Sequence, residues 1–215
     1  MEDIEDWQEK LEHCTYSDRL INKLMKLNKE FNNQVDINEV QKAIYYAKKY
    51  HGQQNRESGE PYYSHPLEVA YMVSDYLFRT DVIVTSILHD TIEDTKLTRE
   101  DIAVIFGEQV ASQVAQLTKA KSDTNNRSED LIKALWLQKN YNLLFIKLFD
   151  RLHNMRTIKI KSLDKAKKII EETTLIFIAL AAYLENPELE EELYKLCSEA
   201  ATSLKLFTTD GDSSL

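Results

Sequence analysis

Residues 66–79, PLEVAYMVSDYLFR, decide the class of fold. Leu67, Ala70, Tyr71, Ser74 and Leu77 fall three and four positions apart, the spacing of a helix that buries a single stripe. Val40, Ile44 and Ala47 repeat the pattern, and most of the chain continues it. The periodicity predicts helices over 3–12, 16–32, 37–50, 66–79, 81–93, 99–106, 108–119, 128–138, 141–157, 163–185 and 187–203. Only 4 Gly and 3 Pro occur in 215 residues, too few for the turns of an all-β fold, and 43% hydrophobic residues are too many for a disordered chain. The expectation is an all-α helical bundle of about ten helices.

Punctuation marks several of these boundaries. Thr98 and Asp101 have the spacing of a capping box, Gly107 suits a stop and restart, and Pro187 suits the first turn of the last helix. Three stretches break the helical pattern: HGQQNRESGEPYYSH (51–65), KSDTNNRS (121–128) and the tail LFTTDGDSSL (206–215). The organisation expected is an N-terminal helical extension (1–36), a main domain (37–185), and a C-terminal helix and tail (186–215) packed on that domain.

The net charge is −9, but it is unevenly spread. Residues 1–13 carry −5 and residues 185–215 carry −6, while 141–168 carry +6, enough to hold a small polyanion. The overall sign and the lack of interleaved basic and aromatic residues argue against nucleic acid as a partner. No stretch is long and apolar enough for a bilayer, and the acidic start MEDIEDWQEK is unlike a signal peptide. Cys14 and Cys197 form neither a disulfide framework nor a zinc motif, so a reducing cytoplasm is the expected setting. The oligomeric state is left open, and a homo-oligomer is compatible with the sequence.

The chemistry concentrates in three segments. In SILHDTIED (86–94), His89 and Asp90 can face one cation, and imidazole with carboxylate suits a transition-metal dication. On a continuous helix Glu93 and Asp94 would stand one turn beyond them on the same face, placed to orient or deprotonate a water. In IKLFDRLHNMR (146–156), Asp150 follows an apolar run and Asn154 lies one turn on. Alone, Asp150 reads as readily as a buried acid neutralised by Arg151 or Arg156. In RESGEPYYSH (56–65), Gly59 and Pro61 shape a loop that delivers His65 to a helix entrance. His51 has no neighbour in sequence that assigns it a role, and Trp7, Trp136 and Met155 read as packing residues.

Together these segments resemble the HD-domain phosphohydrolases, specifically the alarmone-hydrolase branch of the RelA/SpoT family. The resemblance runs over about 37–184, on SGEPYYSHP (58–66), LHDTIEDT (88–95), FGEQV (106–110), LTK (117–119) and IKLFDRLHNMRT (146–157). It implies that His65, His89, Asp90 and Asp150 ligate the metal, manganese in this family, and that Glu93 and Asp94 position or activate the attacking water. It also implies that Arg56 and Ser58 hold the guanine nucleotide and that Asn154 and Thr157 lie along its ribose and base. The implied reaction removes pyrophosphate from the 3′ position of ppGpp or pppGpp. Lys147, Arg151 and Arg156 are then the candidates to neutralise the pyrophosphate, with Lys147 assigned to the substrate.

One departure stands out. The family usually has a second basic residue after the arginine of the loop, and here Glu57 occupies that place. This opens an alternative, an HD phosphohydrolase acting on another phosphorylated nucleotide. A non-catalytic alarmone-binding module is the third reading, and a complete set of ligand and acid positions speaks against it.

Overall fold

The computed structural model describes residues 6–31, 34–118 and 127–209. Its regular elements are α-helices α1 (Thr15–Glu30), α2 (Ile37–His51), α3 (Ser64–Val73), α4 (Thr80–Leu88), α5 (Thr91–Asp94), α6 (Arg99–Phe106), α7 (Glu108–Leu117), α8 (Arg127–Leu137), α9 (Tyr141–Arg156), α10 (Leu163–Glu172), α11 (Ile178–Tyr183) and α12 (Pro187–Thr209). A 3-10 turn (Ile158–Ile160) precedes α10, and a π-helical turn (Thr173–Phe177) separates α10 from α11. The all-α expectation holds, with no strand among the described residues. None of these helices is long and apolar enough to cross a membrane. The expected polar connection at 121–128 lies outside the described residues except for its last two positions, and so does most of the tail.

The chain divides into two compact units, Met1–Phe149 and Asp150–Leu215, with the division falling inside α9. In the first unit, α2, α3, α4 and α7 bring together Val40, Ile44, Leu67, Ile83, Ile87 and Val114 as a fully buried core. α1 joins it by burying Leu20 and Leu24, while Arg19 and Lys23 lie over the Tyr71 ring of α3, 4.1 and 3.9 Å from its centre. In the second unit, α11 and the π turn pack on α12 through Phe177, Leu180, Leu189 and Leu193. There the Arg151 guanidinium lies 4.3 Å above the Phe177 ring and pairs with Glu172 at 2.7 Å.

Several boundaries follow the sequence signals. Thr98 and Asp101 exchange hydrogen bonds across the first turn of α6, Asp101 N–H donating to Thr98 Oγ1 (3.1 Å) and Thr98 N–H to Asp101 Oδ2 (3.0 Å). Gly107 sits at φ +86° between α6 and α7, a conformation that a side chain would oppose.

Other boundaries differ. Residues 6–10 form turns rather than the expected helix, although Trp7 is buried. The helix of 66–79 ends at Val73, because Ser74 Oγ turns back to the Tyr71 carbonyl (2.8 Å) and the Asp75 and Tyr76 amides close tighter turns on Met72 and Val73. The helix of 163–185 is interrupted at the π turn, where the Thr173 and Thr174 hydroxyls bond the Ile169 and Ile170 carbonyls. Most consequentially, the helix of 81–93 breaks at His89 and Asp90.

Candidate metal centre and substrate loop

α4 is apolar enough to be buried on every side from Val82 to Leu88, so it carries His89 into the interior. The helix stops there. Thr91 Oγ1 donates to the Leu88 carbonyl (2.7 Å), and α5 restarts as a single turn closed by the Asp94 and Thr95 amides on the Asp90 and Thr91 carbonyls (2.9 and 3.1 Å). His89 and Asp90 therefore occupy a junction between two helices, and Glu93 and Asp94 are exposed to solvent beyond it.

His89 Nδ1 lies 2.8 Å from the Ser86 carbonyl oxygen. A carbonyl only accepts, so in the neutral ring the proton sits on Nδ1 and the lone pair on Nε2. That Nε2 lies 3.1 Å from Asp90 Oδ1, while Asp90 Oδ2 lies 3.6 Å from Nε2 of His65 in the first turn of α3. The two imidazoles meet edge to face with centres 5.4 Å apart, and each offers a ring nitrogen within 4.8 Å of the other's. Both histidines are buried and Asp90 is 20% exposed. Two nitrogens and a carboxylate crowd together at the spacing of neighbouring ligands on one ion, where each bond is about 2.1 Å. In that tautomer the Nε2 lone pair points at a carboxylate oxygen, an arrangement that a cation shared between them would satisfy. The donors, imidazole and carboxylate with no thiolate, fit a divalent transition-metal ion.

The loop between α2 and α3 faces this junction. Arg56 N–H donates to the Glu60 carbonyl (2.8 Å), Asn55 and Pro61 form an isolated antiparallel bridge, and Tyr62 N–H donates to the Gln54 carbonyl (2.8 Å). Gly59 at φ +86° makes the tip, a left-handed turn that suits a residue without Cβ. Arg56 is half-buried and Ser58 exposed, its hydroxyl donating to Glu60 Oε2 (3.2 Å). Glu57 is exposed on the same tip. From the base of the loop, Tyr62 donates its hydroxyl to Asp94 Oδ2 at 2.6 Å.

His51, to which no neighbour in sequence assigns a role, gains its partners from the fold. It is 2% exposed at the end of α2, stacked on Tyr62 with ring centres 4.6 Å apart, and its Nδ1 lies 3.0 Å from Gln54 Oε1. Burial pushes its imidazole below the ordinary range. The Gln54 hydrogen bond and the charges of Asp90 and Asp94 oppose that effect, and His89 adds to it. Tyr62 and Gln54 were within the quoted loop, but nothing local in the sequence ties residue 62 to residue 94.

The remaining candidates lie on α9 and just beyond it. Lys147, in the first unit, is buried. In the second unit Asp150 is also buried, and its Oδ1 accepts from Asn154 Nδ2 at 2.8 Å, one helical turn on. The Thr157 hydroxyl turns to the His153 carbonyl (3.1 Å). Arg151 and Arg156, weighed from sequence beside Asp150, pair with Glu172 and Glu192 at 2.7 Å. A cavity of about 400 Å³, lined by Lys10, Tyr45, Lys48 and Tyr63, adjoins the same loop but includes none of the candidate ligands.

Comparison with known proteins places these features in a family. The HD-domain profile matches residues 43–185. A relative from Brucella ovis, named GTP pyrophosphokinase rsh, is 42% identical over 169 residues, which cover 75% of this chain and 22% of the relative. One from Aquifex aeolicus, named guanosine-3′,5′-bis(diphosphate) 3′-pyrophosphohydrolase, is 38% identical over 160 residues, or 72% of this chain and 23% of the relative. The chain thus spans about a fifth of the length of these relatives. A solved structure described as a metazoan ortholog of SpoT that hydrolyses ppGpp superposes with a TM-score of 0.65, covering 75% of this chain and 94% of its own, at 23% identity. At that identity it shows the shared fold.

Proposed function

Because the chain belongs to the HD-domain family, we propose that it is a manganese-dependent phosphohydrolase that removes the 3′-pyrophosphate of ppGpp and pppGpp. The products are GDP or GTP and pyrophosphate, with one water consumed. The observation that carries the reading is the junction of α4 and α5, where the His89 lone pair, the His65 ring and the Asp90 carboxylate converge. In this reading Asp150 completes the ligand set, supported by its burial and by the Asn154 amide that fixes its carboxylate.

When bound, the cation lowers the pKa of a water and offsets phosphate charge. The chain's own residues do the rest. Glu93 and Asp94, exposed beside the junction, orient the attacking water and accept its proton. Arg56 and Ser58 hold the guanine nucleotide from the loop, and Lys147 meets the pyrophosphate. Asn154 and Thr157 line the ribose and base. Arg151, buried against Phe177 and paired with Glu172, reads as structural, while Arg156 stays a candidate for the pyrophosphate, its pair with Glu192 being exposed.

The test is pyrophosphate release from ppGpp with Mn2+, run beside GTP, dGTP and a 3′-phosphorylated nucleotide, with Asp90→Ala and chelator controls. Metal-dependent release from ppGpp alone is expected. Turnover of another nucleotide in its place would overturn the substrate and point to Glu57. Mn2+ binding with no turnover would leave a binding module.

A further inference from the structure

We infer that Tyr62 and Gln54, backed by His51, are positioning residues that hold the Asp94 carboxylate and the end of α5 in one arrangement. The inference deepens the proposed function and rests on its reading of Asp94 as one of the acids that handle the attacking water.

α5 has four residues, too few to sustain a helix by its own hydrogen bonds. Asp94 is its last residue and is exposed, so the helix leaves more than one rotamer open to its side chain. The loop supplies what the helix lacks. Tyr62 donates to Asp94 Oδ2 at 2.6 Å, a short hydrogen bond to a charged acceptor, and Gln54 Nε2 donates to the Asp94 backbone carbonyl at 3.0 Å. Side chain and main chain of the same residue are thus held from one side.

Those two donors form a unit. Tyr62 N–H donates to the Gln54 carbonyl at 2.8 Å, so neither residue moves without the other. Because the Gln54 amide nitrogen is turned to Asp94, its oxygen is turned to His51, and His51 Nδ1 must be the donor across the 3.0 Å contact. The same buried imidazole lies against the Tyr62 ring at an angle of 24°. His51 thereby anchors both donors to the end of α2, whose Val40, Ala43, Ile44 and Ala47 are core residues.

The experiment uses the full chain with Mn2+, as wild type and Tyr62→Phe, which keeps the ring stack and removes only the hydroxyl. Amide hydrogen exchange at Asp94 and Thr95 reports on α5, and exchange over 84–88 serves as the internal reference. Loss of one hydrogen bond is expected to quicken exchange at Asp94 and Thr95 about fivefold to tenfold, leaving the α4 reference unchanged. On ppGpp, kcat is expected to fall about tenfold with KM within about twofold, the signature of lost orientation rather than lost binding. Unchanged exchange overturns the inference, as does faster exchange with wild-type kcat. If wild type does not hydrolyse ppGpp, the substrate reading fails separately and exchange alone decides the brace. Should Tyr62→Phe lose its helical circular dichroism, Gln54→Leu is judged by the same criteria.

Discussion

The Nδ1 edge of His89 faces the Ser86 carbonyl at 2.8 Å, and this one contact determines which nitrogen the ring presents to Asp90. A backbone carbonyl one turn back is a fixed acceptor, so the tautomer is set before any cation arrives. Removing the adjacent carboxylate therefore tests the ligand set without disturbing that orientation. Asp90→Ala is expected to lose at least about a hundredfold in Mn2+ affinity by calorimetry and to lose turnover with it. Wild-type affinity in this variant would remove Asp90 from the centre.

Glu93 is exposed on α5 and outside the His65–His89–Asp90 cluster. Glu93→Gln is expected to bind Mn2+ within about twofold of wild type while turnover falls about 10²–10³-fold, the size of a lost general base. A parallel loss of metal would make Glu93 a ligand.

His51 gives the metal-free protein an acid-side weakness. Its folded-state pKa lies below the unfolded value, chiefly through burial and further through His89, against Gln54, Asp90 and Asp94. As pH falls below about 6.5 the unfolded chain takes up this proton first, so stability is lost at up to about 1.4 kcal/mol per pH unit until the buried ring protonates as well. His51→Asn, which can still donate to Gln54, is expected to show a shallower loss between about pH 6.5 and 5 in urea titrations. Parallel curves for the two proteins would refute it.

In the second unit, Arg151 is buried against Phe177 with Glu172 as its partner. Glu172→Gln keeps the shape and removes the charge. The expected cost is about 2 kcal/mol, tempered by the 21% exposure of the Glu172 side chain, and it is read from the denaturant midpoint.

Cys197 is buried on α12, and that burial pushes its thiol above the ordinary range, against the Thr174 hydrogen bond and the Arg151 charge. Of the two thiols, Cys14 is expected to react first with a maleimide and Cys197 only on unfolding. Equal rates, measured by mass spectrometry of the native protein, would contradict the packing.

The helices with a strong apolar stripe and clear punctuation were legible in the sequence, and α2, α6, α9 and α12 begin within a residue of their expected positions. The interruptions inside the expected helices, at Ser74, at His89 and Asp90 and at the π turn, were not. The turns at Lys139 and Glu185, with φ +55° and +54° and closed by amides reaching five residues back to Leu135 and Ala181, fall where helix ends were expected. The break at 89–90 was hidden because SILHDTIED keeps an unbroken helical pattern, whereas side-chain hydroxyls and tertiary packing end the helix. The positions of the HDxxED residues were readable from spacing, but their surroundings were not. Glu93 and Asp94 are exposed, and Asp94 accepts a hydrogen bond from residue 62, a relation set by the fold of a loop.

The junction at His89 and Asp90 also bears on how far this motif can be moved. A six-residue string that folds as one helix could be written onto another helix and keep its geometry. This one is a bend, shaped by the carbonyls before it, by Thr91 within it and by a separate loop beyond it. Transplanted without residues 51–62, HDTIED would lose both hydrogen bonds that hold Asp94, and the far end of the string would no longer be fixed in direction. Its portable unit is a pair of distant segments.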